Sequence, residues 1–169
     1  MTKKYSVVVG GPAVGKSFLA KHDNRFIDLD EIKAKYKYGI LDDNKDFEKN
    51  KSNRGKVVHN DSLEYVLDIL NKTIQTEKIV LISFNKQILE YVINNKINYC
   101  LVYPNLNSRE EYVERMKNRG NNDIFINAMT NEKDWTSFYI KNSQDNLPNF
   151  KIELKEGQYL SDVKEYFYS

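Results

Sequence analysis

One stretch near the start of the chain constrains the fold more than any other. The β-branched run Val7–Val9 is followed by Gly10-Gly11-Pro12-Ala13-Val14-Gly15-Lys16-Ser17, and apolar residues return in Phe18–Ala20. Glycines at both ends of the segment let the backbone curl tightly, so the order predicts a strand, a loop and the start of a helix. A strand that is apolar throughout must be covered on both faces, which favours an α/β fold.

The loop also has the spacing of a phosphate-binding site, Gly-x-x-x-x-Gly-Lys-Ser. Backbone N–H groups and the positive end of a helix dipole bind phosphate well, so we expect residues 10–17 to hold the phosphates of ATP. Lys16 would reach the β- and γ-phosphates, and the hydroxyl of Ser17 would bind Mg²⁺. The alternative is a plain glycine turn that carries Lys-Ser by chance.

Further apolar runs predict the rest of a sheet. Five strands are expected, at Tyr5–Val9, Arg25–Asp28, Ile79–Phe84, Tyr99–Tyr103 and Phe150–Leu154, and segments with helical periodicity lie between them. Strands that alternate with helices predict a mostly parallel sheet between two helical layers. Since no repeat or Pro-rich linker divides the chain, we expect a single domain over residues 1–169.

Charge and composition limit the classes of partner that the protein can have. The chain has 26 Lys and Arg against 24 Asp and Glu, so it lacks the global basic excess of a dedicated nucleic-acid binder. Its only cysteine, Cys100, lies in an apolar run, which predicts a core position and neither a disulfide nor a cysteine zinc site. No apolar segment is long enough for a signal peptide or a membrane span, so we expect a cytoplasmic protein without a membrane partner.

Acidic residues at the end of the second predicted strand are candidates for the site. Asp28 and Asp30 would lie at the carboxyl edge of the sheet, where open α/β folds bind their ligands. The third predicted strand ends near Ser83 and Asn85 without the aspartate that many phosphate-loop enzymes use toward Mg²⁺, so the acid must come from elsewhere. The alternative role for Asp28 or Asp30 is to cap a helix predicted over residues 31–38.

Two arginines four residues apart are the candidate cations. Arg115 and Arg119 share one face of a predicted helix and could stabilise the charge on a transferred phosphoryl group. The alternative is a solvated helix face with ion pairs such as Glu111 to Arg115. The polar segment 39–55 is either a substrate lid or a surface loop, and the turn after the fifth strand is placed to meet a nucleotide.

These elements together resemble the small P-loop kinases that act on nucleosides and nucleotides, over nearly the whole chain. Asp30-Glu31-Ile32-Lys33 is similar to the Asp-x-(Leu/Ile)-Arg element of polynucleotide-kinase-like and zeta-toxin-like members. That resemblance implies that Asp30 accepts the proton of the substrate hydroxyl, with Asp28 and Lys33 as substrate contacts, although Lys33 stands where the element has arginine. The helix with Arg115 and Arg119 is similar to the lid of adenylate-kinase-like enzymes. The Lys-, Asn-, Ile- and Tyr-rich composition looks like that of kinases encoded by phages of AT-rich hosts.

The resemblance implies a three-layer α/β/α P-loop NTPase sandwich and an ATP- and Mg²⁺-dependent phosphotransferase. Its acceptor would be a nucleoside, a nucleoside monophosphate or a related small molecule. Two other functions stay open. One is a polynucleotide 5′-hydroxyl kinase, which the small net charge disfavours. The other is a nucleotide-binding module or NTPase without a phosphate acceptor, which the missing aspartate after the third strand allows.

Overall fold

The computed structural model describes residues 2–31, 36–38, 54–57 and 62–169, and at residues 31, 36–38, 54–57 and 62 it describes the backbone alone. Lys33 lies outside the described residues, and so does nearly all of the polar segment 39–55. The roles predicted for them stay predictions.

Seven strands and seven α-helices make up the described part of the chain. The strands are β1 Val7–Gly10, β2 Phe26–Asp28, β3 Tyr36–Tyr38, β4 Arg54–Val57, β5 Ile79–Ile82, β6 Tyr99–Pro104 and β7 Phe150–Leu154. The α-helices are α1 Lys16–His22, α2 Ser62–Ile74, α3 Lys86–Asn94, α4 Arg109–Asn118, α5 Asp123–Thr130, α6 Glu132–Gln144 and α7 Leu160–Val163. Short 3₁₀ turns cover Leu29–Glu31, Leu106–Ser108 and Lys164–Phe167.

The five predicted strands form one sheet in the order β2-β5-β1-β6-β7, and every neighbouring pair is parallel. Strand β1 is central, because Val7 pairs with Val80 of β5 on one side and with Tyr99 of β6 on the other. From β1 the chain crosses toward the β2 edge, whereas from β6 it continues to the opposite edge. Open α/β sheets bind their ligands where such connections diverge, so the topology points to the carboxyl end of β1.

Helices cover both faces of the sheet. Val8 of β1 packs with Leu19 of α1 and Met116 of α4, while Val7 and Val9 pack with Leu70 of α2 and other residues of the second face. The architecture is therefore three layers, α/β/α. Burial on both faces explains why the strands are apolar without alternation.

Cys100 lies in this core, as predicted, with no exposed surface. Burial raises the pKa of its thiol to about 12.

The helix predicted over residues 31–38 is wrong where the chain is described. Residues 29–31 form a 3₁₀ turn, and Tyr36–Tyr38 is a strand that pairs antiparallel with Arg54–Val57. The acidic residues before this segment resemble a helix start, but Tyr-Lys-Tyr has the period of two and the aromatic content that favour a strand.

None of the helices in the described ranges combines the length and the apolar character that crossing a membrane requires.

Candidate functional site

The loop between β1 and α1 has the backbone shape of an anion site. Ala13 has φ +62° and Gly15 has φ +96°, so the chain turns through left-handed conformations just before the helix begins. The N–H groups of Ala13, Val14 and Gly15 donate to no main-chain carbonyl in the described part of the chain. Successive N–H groups in such a turn, next to a helix N-terminus, form a concave donor surface that suits phosphate.

Lys16 places a positive charge at the start of this loop. Its side chain is only 8% exposed, and Nζ donates to the carbonyl oxygens of Gly10 at 2.9 Å and Gly11 at 2.8 Å. The same ammonium lies 3.9 Å from Oδ2 of Asp30. The glycine loop, the lysine and one of the two predicted acids therefore meet at the carboxyl end of β1.

The second acid contacts the residue predicted to bind metal. The hydroxyl of Ser17 donates to Oδ2 of Asp28 at 3.0 Å, and the backbone N–H of Asp30 donates to Oδ1 of Asp28 at 2.9 Å. Asp28 thus contacts the 3₁₀ turn Leu29–Glu31 through Oδ1 and the first turn of α1 through Oδ2. Asp30 accepts a hydrogen bond from the hydroxyl of Ser83, which stands at the end of β5 in place of an aspartate.

Burial raises the pKa of the Asp28 carboxyl above its ordinary value, and the charge of Lys16 opposes that rise while the nearby Asp30 adds to it. In the described part of the chain, no three His, Cys, Asp or Glu side chains cluster as a metal site of their own. Mg²⁺ takes oxygen ligands and is commonly held by one or two carboxylates together with substrate phosphates. The oxygens of Ser17, Asp28 and Asp30 fit that requirement.

Arg115 lies against the loop and is already bound by protein groups. Its residue is 7% exposed, Nη1 donates to the carbonyl of Ala13 at 3.2 Å, and Nη2 donates to the carbonyl of Gln158 at 2.9 Å. Nη2 also forms an ion pair with Glu111, as predicted for the alternative role of Arg115. The guanidinium therefore holds the loop to the turn after β7, and its predicted contact with a transferred phosphate stays a prediction.

The turn after β7 packs directly on the glycine loop. The N–H of Leu160 donates to the carbonyl of Val14 at 2.9 Å, and the ring of Tyr159 lies 3.3 Å from where a Cβ on Gly15 would be. The guanidinium of Arg115 stacks 3.7 Å from the centroid of the Tyr159 ring. The turn after β7 therefore lies against the glycine loop, and its predicted contact with a nucleotide stays a prediction.

Some of these contacts had little signal in the sequence. The carboxylate of Glu111 accepts from the N–H of Gly157 as well as from Arg115, and only its i, i+4 spacing to Arg115 indicates a contact. The carbonyl contacts of Ala13 and Gln158 carry no side-chain signal at all. Arg119 directly follows the last residue of α4 as its C-cap and is partly buried, and its predicted contact with a transferred phosphate stays a prediction.

No family model matches the chain, and no curated protein matches it significantly in sequence. One similar solved structure is a crystal structure of an uncharacterized protein from Eubacterium ventriosum. The two chains are 15% identical, with a TM-score of 0.48, and the match covers 97% of this chain and 96% of that one.

Proposed function

We propose that the protein is an ATP- and Mg²⁺-dependent phosphotransferase that acts on a nucleoside, a nucleoside monophosphate or a related small acceptor. The observation that carries the proposal is the meeting of four groups at the end of the central strand. These are the curled loop, the ammonium of Lys16, the hydroxyl of Ser17 and the carboxylate of Asp28 at 3.0 Å from that hydroxyl. Phosphoryl transfer depends chiefly on positioning and charge stabilisation, and this set supplies both.

In this proposal the loop N–H groups and Lys16 hold the β- and γ-phosphates of ATP. Ser17 and Asp28 would hold Mg²⁺, and Asp30 would supply a second carboxylate beside them. The metal, when bound, neutralises charge that develops on the phosphates.

Asp30 is the proposed base for a hydroxyl acceptor. It would take the hydroxyl proton as the acceptor oxygen bonds to the γ-phosphorus and the bond from that phosphorus to the bridging oxygen breaks, releasing ADP. Support for this role comes from the 3.9 Å between its Oδ2 and the ammonium of Lys16, the group that would hold the γ-phosphate. The turn after β7 would border the ATP, because Tyr159 and Gln158 lie against the loop and its brace, Arg115.

The test is an acceptor screen with Mg²⁺ and ATP labelled on the γ-phosphate. Nucleosides, nucleoside monophosphates and short oligonucleotides are incubated with the protein, and both ADP formation and the mass of each acceptor are measured. We expect one small acceptor to gain a single phosphate, and we expect Lys16→Ala to abolish the gain while its circular dichroism stays that of the wild type.

Other results of the screen would contradict the proposal. Transfer only to the 5′ end of oligonucleotides would replace it with a polynucleotide kinase. Label released to water alone would indicate an NTPase, and ATP binding with no turnover would indicate a nucleotide-binding module.

A further inference from the structure

A pocket of about 190 Å³ opens beside the glycine loop. Gly11 and Pro12 form the wall on the loop side, Tyr112 and Met116 come from α4, and Trp135 comes from α6. Pockets for whole drug-sized ligands enclose about 300–1,000 Å³, so this one suits a single ring system rather than an entire nucleotide.

The lining selects a planar apolar group. Tyr112, Trp135 and Phe138 supply aromatic surface, and Met129 adds a polarizable thioether. Among the described residues that line the pocket, Asp134 alone is charged, and its carboxylate would repel a phosphate. The pocket therefore fits a neutral aromatic ring and disfavours the phosphates that the loop attracts.

One polar group of the lining could orient such a ring, the carboxylate of Asp134. Oδ2 of Asp134 accepts from the side-chain amide of Asn131 at 2.6 Å, while no described residue donates to its Oδ1. A carboxylate oxygen only accepts hydrogen bonds, so it suits a ring with an amino group, as in adenine, cytosine or guanine.

The position of the pocket assigns the ring to the acceptor rather than to ATP. Nζ of Lys16 lies on the carbonyls of Gly10 and Gly11, and the lysine of such a loop reaches the β- and γ-phosphates. The γ-phosphate, which is the group transferred, would therefore lie nearest to the Gly11 end of the loop. The pocket shares Gly11, so its ring lies on the receiving side.

We infer that this pocket binds an amino-bearing nucleobase of the phosphate acceptor, an inference that rests on the proposed function. Trp135 makes it testable without an activity assay, because it is the only tryptophan of the chain. Its indole N–H donates to the carbonyl of Leu106 at 2.7 Å, so the ring is held in place against the pocket.

The experiment titrates the wild-type protein with adenosine, guanosine, cytidine and uridine while Trp135 fluorescence is recorded. Ribose 5-phosphate, which has no base, is the control ligand. We expect a saturable change with the amino-bearing nucleosides, weaker binding of uridine and no change with ribose 5-phosphate. A non-hydrolysable Mg-ATP analogue at saturation should leave the nucleoside titration in place.

Two variants and one matched control localise the signal. Ala128→Phe fills the pocket from α5 and should weaken nucleoside binding at least tenfold, whereas Asn127→Phe adds the same ring at the neighbouring exposed position outside the lining and should bind as the wild type does. Asp134→Asn replaces one oxygen with a donor and should reduce the preference for cytidine over uridine about tenfold.

Each contrary outcome has a distinct meaning. No fluorescence change with any nucleoside, or equal binding by Ala128→Phe, would overturn the pocket even if phosphate transfer is found. Displacement of the nucleoside by the ATP analogue would assign the pocket to the donor and overturn the inference. Ring binding with no phosphate transfer from ATP would contradict the proposed function instead.

Discussion

The hydroxyl of Ser17, in the first turn of α1, donates a 3.0 Å hydrogen bond to the Asp28 carboxylate at the end of β2. Asp28 ends β2, whereas the helix of Ser17 follows β1. In the sheet these two strands are separated by β5, which ends without an acidic residue of its own. The acid therefore reaches the loop from the strand beyond the neighbouring one. The proposed metal chemistry depends on that contact.

Replacing Asp28 with Asn should separate activity from stability. The amide can keep both contacts, accepting from the N–H of Asp30 and donating to the Ser17 oxygen, but it brings no charge to Mg²⁺. We expect Mg²⁺-dependent transfer to fall about 10- to 100-fold. Since burial raises the pKa of Asp28, the charged form costs stability above that pKa, and the neutral Asn should raise Tm at pH 7.

The pH dependence follows from the same shift. If transfer needs ionised Asp28, the wild-type rate should fall as pH decreases through the raised pKa, at a higher pH than an ordinary aspartate would give. The measurement is kcat/KM for Mg-ATP against pH for the wild type, because kcat/KM reports the protein before the metal binds, with Tm for both proteins. Full Mg²⁺-dependent activity in Asp28→Asn would remove Asp28 from the site.

Gly15→Ala should damage the loop more than a general glycine substitution does. Gly15 has φ +96°, and an added Cβ would lie 3.3 Å from the Tyr159 ring. Gly120, at φ +75°, has nothing within 4 Å of an added Cβ. Both alanines should cost roughly 1–2 kcal/mol of backbone strain, but only Gly15→Ala should also weaken ATP binding, by about tenfold or more in calorimetry. Equal ATP binding by the two variants would contradict the placement of ATP on this loop.

Arg115, within α4, and Arg119, just after its end, should have different roles. Arg115→Met leaves the carbonyls of Ala13 and Gln158 without their donor, so we expect a loss of about 2 kcal/mol in the free energy of unfolding and weaker ATP binding. Arg119→Met removes a cation that the sequence predicts beside the transferred phosphoryl group, so it should lower kcat. Denaturant unfolding and steady-state kinetics on both variants distinguish the two roles. An Arg115→Met protein with wild-type stability and normal ATP binding would contradict the role of Arg115 in holding the loop to the turn after β7.

A cluster of charged residues away from the loop should determine how the free energy of unfolding changes at acidic pH. Asp23 accepts from Nε and Nη2 of Arg25 at 2.9 and 2.7 Å and from Lys164 at 3.1 Å. The Arg25 hydrogen bonds hold the pKa of the Asp23 carboxyl far below its usual value of 3.8. A depressed pKa gives stability that is present above the unfolded pKa and is lost as pH falls through the folded one.

We therefore expect Asp23→Asn to cost about 1–3 kcal/mol at pH 7, and this difference should shrink steadily below about pH 4. Denaturant unfolding at several pH values measures it. Asp68→Asn is the control, because its pair with Lys72 is exposed and should be worth no more than about 0.5 kcal/mol. A pH-independent difference for Asp23→Asn would contradict the electrostatic explanation.

The sheet and the loop could be predicted from local patterns. Val7–Val9 and Ile79–Ile82 are apolar throughout because both faces of a parallel sheet are covered, and the glycine spacing marks the turn that follows β1. The proximity of Asp28 and Asp30 to the loop was also predictable, since parallel strands end at one edge.

What could not be predicted depends on tertiary contacts. The partners of Arg115 are backbone carbonyls from the loop and from the turn after β7, and a carbonyl is present at every position of a sequence. Met116 of α4 and Trp135 of α6 line one pocket, and the rings of Tyr112 and Trp135 that bring these helices together lie 5.3 Å apart between centroids. The strand Tyr36–Tyr38 was misassigned because the acids before it match a helix start.

Calorimetric titration of Mg-ATP into the wild type, Lys16→Ala and Lys21→Ala tests whether residues 10–17 hold the phosphates of ATP. Lys21 is an exposed lysine on the same helix and serves as the matched control. If the loop holds the phosphates, Lys16→Ala should lose about 3 kcal/mol of binding free energy, roughly 100-fold in affinity, and Lys21→Ala should bind as the wild type does. Equal affinity of all three proteins for Mg-ATP would contradict the assignment of residues 10–17 as the phosphate site.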